Sequence, residues 1–400
     1  MRLLFNKTAA LVLASTAIAL SAVAQKDDMG NLPAFSMDKQ NVNSNELPSR
    51  RSILGSMIKV NNHYLAQHPD PLLGIPYHSR KRVYEANIWT RGIYFEGLMA
   101  LHSIYPENRY FDYAWQWADG FKWGMRRDNT TTRNADNYCC AQTYIDLYRL
   151  CPQPHMLVKT KALANMLINT PQVNDWTWID ALQMGMPVLA KLSKVTGNRA
   201  YADKARKMYV WTRDSLAGGL YNKAEKLWWR DADFVAPYKE PNGRNCYWSR
   251  GNGWVVAALV KTLEELPADD PDRKAYEKDL TDMCEALAKC QRGDGFWNVS
   301  LHDESNYGGK ELTGTALFVY GMAWGVNHGL LDRAKYLPVI VRAWNGMVND
   351  AVHPDGFLGY VQGTGKEPKD GQPVTYDSVP DFDDFGTGCF LLAGSEVYKL

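Results

Sequence analysis

The sequence lacks a charge of either sign to spare: 45 Lys and Arg face 44 Asp and Glu, a net charge of +1 in 400 residues. Such a chain carries no bulk field for nucleic acid or an anionic membrane, so neither is expected as a partner. None of the eight histidines is spaced as His-x-x-x-His or set beside a Glu, which argues against a catalytic metal. The Gly-x-Ser-x-Gly elbow, the P-loop and the dinucleotide fingerprint are missing, and with them the common hydrolase, nucleotide and redox classes. No cofactor is expected. The seven cysteines show no zinc or redox spacing and read as small buried apolar residues. Long alternating runs are also missing; Leu227–Asp231 and Gly356–Val361 are short strand candidates.

Aromatic residues, by contrast, are plentiful, with 14 Trp and 22 Tyr. An excess beyond the needs of a core suggests a surface that stacks on flat apolar faces such as sugar rings. At the start of the chain Arg2 and Lys7 flank the apolar run Ala9–Leu20, and Ala22-Val23-Ala24 follows. Basic start, short apolar run and small-x-small end mark a secretory signal peptide over residues 1–24, too short a run to span a bilayer comfortably. The protein is therefore expected to be exported, to the periplasm or beyond. Residues 25–47 are polar and aperiodic and read as a flexible arm. Residues 48–400 read as a single domain.

That domain is helical almost throughout. Apolar residues recur three and four apart in twelve segments, near 48–66, 90–104, 108–122, 136–149, 154–168, 178–194, 199–215, 251–265, 271–290, 312–327, 334–350 and 385–398. Odd segments are amphipathic, with charged faces such as Asp203, Lys204, Arg206 and Lys207. Even segments are apolar nearly all round, as in Val255–Leu259 and Ala316–Trp324, and must be buried on every side. Six wrapped helices alternating with six wrapping ones predict an all-α fold, the (α/α)6 toroid. A helical solenoid would show a shorter and more regular repeat.

In such a ring the N-termini of all inner helices gather at one mouth, and the unusual residues of this sequence sit there. Trp89 opens the second segment, Asp136 the fourth, Trp178 and Asp180 the sixth. Trp248-Ser249-Arg250-Gly251-Asn252-Gly253-Trp254 opens the eighth, and Thr313-Gly314-Thr315 lies in the tenth. Asp136 and Asp180 have an ordinary explanation as helix caps. Asp180, however, enters a buried helix behind Trp176 and Trp178, and desolvation there favours a protonated acid. Gly251 and Gly253 each cost about 1 kcal/mol of helix propensity, which suggests close approach of backbone to a ligand. Arg250 offers a planar fork for a carboxylate. Asp231-Ala232-Asp233 and Asp381-Phe382-Asp383-Asp384 lack calcium-loop spacing and read as solvated loops.

With Trp248–Trp254 placed after Trp178-Ile179-Asp180, residues 48–400 resemble glycoside hydrolase family 105, the unsaturated rhamnogalacturonyl hydrolases. These are close relatives of the family 88 unsaturated glucuronyl hydrolases. The resemblance is strongest in Asp175–Thr196, Trp228–Leu259, Glu311–Leu331 and Phe385–Leu400. It implies the (α/α)6 fold and a lyase-generated oligosaccharide as substrate, with a 4,5-unsaturated uronic acid at its non-reducing end. One Asp protonates C4, water adds at C5, and the resulting hemiketal opens to release the neighbouring sugar. Asp180 matches that acid, Asp136 a second acidic position that holds hydroxyls or assists. Trp248, Arg250 and Trp254 match substrate contacts, and Trp89, Trp178, Asn252, Thr313 and Thr315 join them as candidates from their places at the mouth. The family's His before the Trp-Arg motif is missing: no His lies between His155 and His302, and Trp228-Trp229-Arg230-Asp231-Ala232-Asp233 stands there instead.

Rhamnogalacturonan fragments lead as substrates, with ulvan-type or glucuronyl-rhamnose fragments next. Two other readings stay open on the residues alone. One is a conventional inverting glycosidase that uses Asp180 and Asp136 on saturated glycosides. The other is a non-catalytic sugar-binding protein.

Overall fold

The computed structural model describes residues 46–77 and 81–400. The expected leader, and the expected arm save its last two residues, lie outside them. Twelve α-helices occur among the described residues: α1 (Arg50–Gln67), α2 (Trp89–Ile104), α3 (Asn108–Gly120), α4 (Ala141–Leu150), α5 (Val158–Ile168), α6 (Asp180–Thr196), α7 (Ala200–Asp214), α8 (Ser249–Glu265), α9 (Arg273–Ala288), α10 (Leu312–Asn327), α11 (Arg333–Gly346) and α12 (Asp384–Lys399). Two small antiparallel pairs join them, β1 (Ile75–Tyr77) with β2 (Arg82–Tyr84) and β3 (Tyr221–Asn222) with β4 (Leu227–Trp228). The strand expected at Leu227–Asp231 is thus shorter, and Gly356–Val361 contributes one bridge, Leu358 to Val352.

The even-numbered helices close a ring. Each of α2, α4, α6, α8, α10 and α12 packs on the next, and α12 returns to α2. Every residue from Leu312 to Val326 of α10 is buried, and each large apolar side chain so enclosed contributes about 1.5–3 kcal/mol. Outer helices bury one stripe only. In α7 it runs through Tyr201, Ala205, Met208, Tyr209 and Thr212, the spacing of a single helix face. This is the (α/α)6 toroid, and none of its described helices is long and apolar enough to cross a membrane.

Close approach within the ring depends on glycine. A Cβ on Gly97 of α2 would lie 2.5 Å from the Gly388 carbonyl oxygen of α12, and one on Gly388 would lie 2.3 Å from the Ile93 carbonyl oxygen. Gly253 of α8 similarly faces Leu317 and Gly314 of α10, and Gly251 faces Trp248 and Ile179. The glycines of the Trp-Arg motif therefore serve packing, not approach to a ligand.

Connections from inner to outer helices are short, at 105–107, 197–199 and 328–332. Those leading back are long, at 121–140, 215–248, 289–311 and 347–383. Gly197 supplies the left-handed residue (φ 69°) that ends α6 tightly. All the long loops consequently stand at the N-terminal end of the ring, where they wall a site. Within the ring, the buried Lys261 ammonium of α8 pairs with Glu96 of α2, and Gln183 of α6 donates to the same carboxylate at 2.9 Å.

Candidate active site

The mouth of the ring holds a cavity of about 270 Å³, at the small end of ligand clefts. Five of the six inner helices feed it. Trp89 comes from the start of α2, Asp136 and Asn137 from the turn before α4, and Asp180 and Met184 from α6. Trp248 immediately precedes α8, Arg250 lies in its first turn, and Phe382 precedes α12. The β1–β2 hairpin adds Tyr77 and Tyr84, and the loop before α12 adds Thr364 and Gly365.

Asp180 is the first residue of α6, and local backbone pairing sets its neighbour. The Ile179 amide donates to the Arg230 carbonyl at 2.9 Å, and Trp178 bridges to Asp231. This holds Arg230 so that its Nε donates to Asp180 Oδ2 at 3.2 Å and its Nη1 to Asp231 Oδ2 at 2.6 Å. Burial raises the Asp180 carboxyl above its ordinary range, against the opposing pull of Arg230 and Arg250. The other oxygen, Oδ1, has no side-chain partner among the described residues.

Asp136 sits in a 3-10 turn, Ala135–Asn137, rather than in α4, which begins at Ala141. Asn134 Oδ1 caps the turn by accepting from the Asp136 amide at 2.9 Å. Asp136 thus does not cap a helix with its own carboxylate. Burial first, and then the charge of Asp180, push its carboxyl up to about 7, with Arg230 and Arg126 opposing. An acid raised by burial and by the charge of its neighbour, beside one guanidinium, gives a pair able to hold a proton at neutral pH.

Around the acids stand aromatic and cationic groups. Trp89 and Trp178 are half-buried, and Trp248 is held by its Nε1, which donates to Gln362 Oε1 at 2.8 Å. The Arg250 guanidinium lies 4.6 Å from the Trp248 ring and 5.0 Å from that of Phe385. Its two amino groups donate to the carbonyls of Gln362 and Gly363 at 2.5 and 2.7 Å, while its buried Nε has no partner among the described residues.

Four sequence candidates lie away from the cavity lining, each for a physical reason. Asn252 is spent on β4, accepting from the Trp228 amide at 2.9 Å and donating to the Trp228 carbonyl at 3.0 Å. Trp254 lies one turn deeper than Arg250 and packs edge-on against Trp89, with ring centres 6.1 Å apart. Thr313 donates to the Glu311 carboxylate that caps α10. Thr315 donates to the Glu311 carbonyl at 2.6 Å and accepts from the Trp297 amide at 3.0 Å. Trp176, taken as part of the Asp180 pocket, instead donates to Tyr138 at 3.0 Å within the core.

The acidic loops also carry partners. Asp233 pairs with Lys366, Asp383 with His68, and Asp384 with Arg91. His68, Asp383 and Asp384 have ligating atoms within 4.8 Å of one another, but Asp384 is committed to Arg91, Tyr64 and Thr90. All seven cysteines are free thiols; five are buried, Cys290 is half-buried and Cys151 is exposed. Sequence reasoning missed Arg230 as a cavity residue, together with Arg126, Tyr77, Tyr84 and Phe382. Arg230 had a signal, since it lies in the stretch that replaces the family's His.

A toroid with two coupled acids at its mouth is what the sequence resemblance implies, and the family model described as Glycosyl Hydrolase Family 88 matches residues 59–400. The chain belongs to that family. It is therefore a glycoside hydrolase. A curated relative from Formosa agariphila, named unsaturated 3S-rhamnoglycuronyl hydrolase, is 34% identical over 332 residues, 78% of this chain and 84% of its own. The solved structure of a glycosyl hydrolase family 88 protein from Bacteroides vulgatus superposes with a TM-score of 0.80. It is 33% identical, and the match covers 88% of this chain and all (100%) of that one. A family 105 glycoside hydrolase from C. acetobutylicum, 22% identical, shares the fold with a TM-score of 0.66 over 86% of this chain and 99% of its own.

Proposed function

We propose that the protein removes a 4,5-unsaturated glucuronic acid from the non-reducing end of lyase-generated, rhamnose-containing oligosaccharides, with Asp180 as the acid. The observation that carries this reading is the pairing of Asp180 with Asp136 and Arg230 in an aromatic cavity, in a chain of this family. The name of the Formosa relative favours a rhamnose-linked glucuronyl substrate over a rhamnogalacturonan fragment.

The chemistry needs one proton, one water and a stabilised cation. Asp180 delivers its proton to C4 of the enol ether, and positive charge develops at C5 and the ring oxygen. The Asp180 carboxylate so formed, beside Asp136, lies near that charge. Water then bonds to C5 and returns a proton to Asp180. The resulting hemiketal opens to a ketone, C1 is left as a hemiacetal, and the neighbouring sugar departs with its hydroxyl restored. Asp136, neutral up to about pH 7, donates a hydrogen bond to a sugar hydroxyl without adding charge next to the acid. Arg250 faces the uronate carboxylate, and Trp89, Trp178 and Trp248 flank the ring. The leader pattern at residues 1–24 supports export, with the enzyme acting outside the cytoplasm.

The test is loss of the ultraviolet absorbance of the enol ether when purified protein meets lyase products from several polysaccharides. The expected result is a falling signal with glucuronyl-rhamnose products. A flat trace on every unsaturated substrate, with release from saturated glycosides, would overturn the proposal.

A further inference from the structure

The end of the ring opposite the mouth holds a second cavity, of about 310 Å³, within the size range of ligand clefts. All six inner helices line it, each with residues of its second half, from His102 and Ser103 of α2 to Lys399 of α12. Their C-terminal carbonyls bring the negative ends of six helix dipoles to this face, the reverse of the mouth.

Charge in the cavity does not balance. Five carboxylates line it, and four have cationic partners: Glu96 with Lys261, Asp146 with Lys191, Glu265 with Arg149 and Glu396 with Lys399. The fifth, Glu264, is accessible, and its carboxylate has no ion-pair or hydrogen-bond partner among the described residues. Lys194 beside it donates to the Glu264 backbone carbonyl at 3.0 Å instead. Enclosure by the ring first, and then the charge of Glu396, push the Glu264 carboxyl up to about 7, with Lys191 and Lys399 opposing. Burial lowers the Lys261 amine to about 7, so positive charge is what the cavity lacks.

Tyr320 of α10 is a second, separate sign of a missing partner. Its side chain lines the cavity and is 3% exposed, and its hydroxyl bonds to nothing among the described residues. Burial first, and then the charges of Glu264 and Glu396, hold the phenol well above its ordinary range. A buried hydroxyl without a partner costs stability that a bound ligand restores.

We propose that this cavity binds a small organic cation, with its ammonium on the Glu264 carboxylate and the Tyr320 hydroxyl. An ammonium carries donors for both groups, and Met99, Ala100 and Leu392 give its hydrocarbon body an apolar wall. A hard metal ion fits less well, because it takes six or more oxygens. No three carboxylate, His or Cys ligands of this cavity come within 4.8 Å of one another among the described residues. The site is independent of the reaction proposed for the mouth.

The experiment titrates benzylamine into the full chain at pH 8 by calorimetry, with benzyl alcohol as the uncharged match and calcium and sodium chloride as metal probes. Wild type binds benzylamine, and binds benzyl alcohol at least about 10-fold more weakly. Glu264→Gln, which keeps the shape but not the charge, weakens the amine by roughly 10- to 100-fold, and Tyr320→Phe by roughly 3- to 10-fold. Asp180→Asn at the mouth leaves amine binding unchanged. Thermal melts check that the variants fold; should Tyr320→Phe fail, Glu264→Gln at its accessible position still decides. No heat from benzylamine at millimolar concentration in wild type, or equal affinity in Glu264→Gln, would overturn the assignment. Loss in Asp180→Asn would place the amine at the mouth and overturn it as well. Calcium or sodium binding that Glu264→Gln abolishes, without amine binding, would replace the ammonium with a metal ion.

Discussion

Replacing Arg230 with Gln should move the pH dependence of the enzyme, not only its height. Arg230 Nε lies 3.2 Å from Asp180 Oδ2, with side chains only 19% and 12% exposed. Its charge lowers the carboxyls of both Asp180 and Asp136. Unit charges about 4 Å apart at an effective dielectric of about 20 interact by about 4 kcal/mol, a ceiling of about 3 pK units. An open cavity admits water, so a rise of about 1–2 units in the apparent values of the acid pair is expected. The sign follows: without the guanidinium each carboxyl keeps its proton to higher pH. The alkaline limb of kcat/KM, read from enol-ether loss between pH 5 and 9, should therefore shift upward in Arg230→Gln. A profile that drops in height with its alkaline limb unmoved would refute the idea that Arg230 tunes the acids and leave it a substrate contact.

Asp136→Asn should remove the contribution of a carboxyl that titrates near 7. Because its folded pKa is raised, the stability that Asp136 gives relative to Asn is present below about pH 4 and is lost as pH rises through about 7. The Tm advantage of the Asn variant should thus grow from pH 4 to 8 in calorimetry. Burial already lowers the Lys261 amine to about 7, so Glu96→Gln, which removes its carboxylate partner, should leave that amine neutral and cost about 1–3 kcal/mol in urea unfolding, with the cavity at the mouth intact. Gly388→Ala drives a methyl against the backbone of α2. It should lower stability by about 1–3 kcal/mol or more despite the better helix propensity of Ala.

Much of the fold is legible in the sequence because burial is periodic. The alternation of all-round apolar helices such as α10 with one-faced helices such as α7 is a consequence of two concentric rings, and it survives in the residue pattern. What the pattern misses is short or non-periodic. Three-residue strands such as Arg82–Tyr84 carry no repeat to detect, and the turn that holds Asp136 merges with the apolar start of α4. The site is legible in part for a similar reason. Proximity to a helix start locates a residue along the axis but not around it, so Arg250 lines the cavity while Asn252 turns to β4 and Trp254 sinks below the floor. Arg126 and Arg230 come from long loops, where spacing says nothing about which side chains converge.

The central claim is that Asp180 protonates the enol ether of an unsaturated uronate. Wild type and Asp180→Asn would be compared on a glucuronyl-rhamnose lyase product, following absorbance for turnover and calorimetry for binding. The account predicts that wild type consumes the chromophore and that the Asn variant loses on the order of 100-fold or more in kcat while still binding the sugar. Turnover by Asp180→Asn at near the wild-type rate would contradict it.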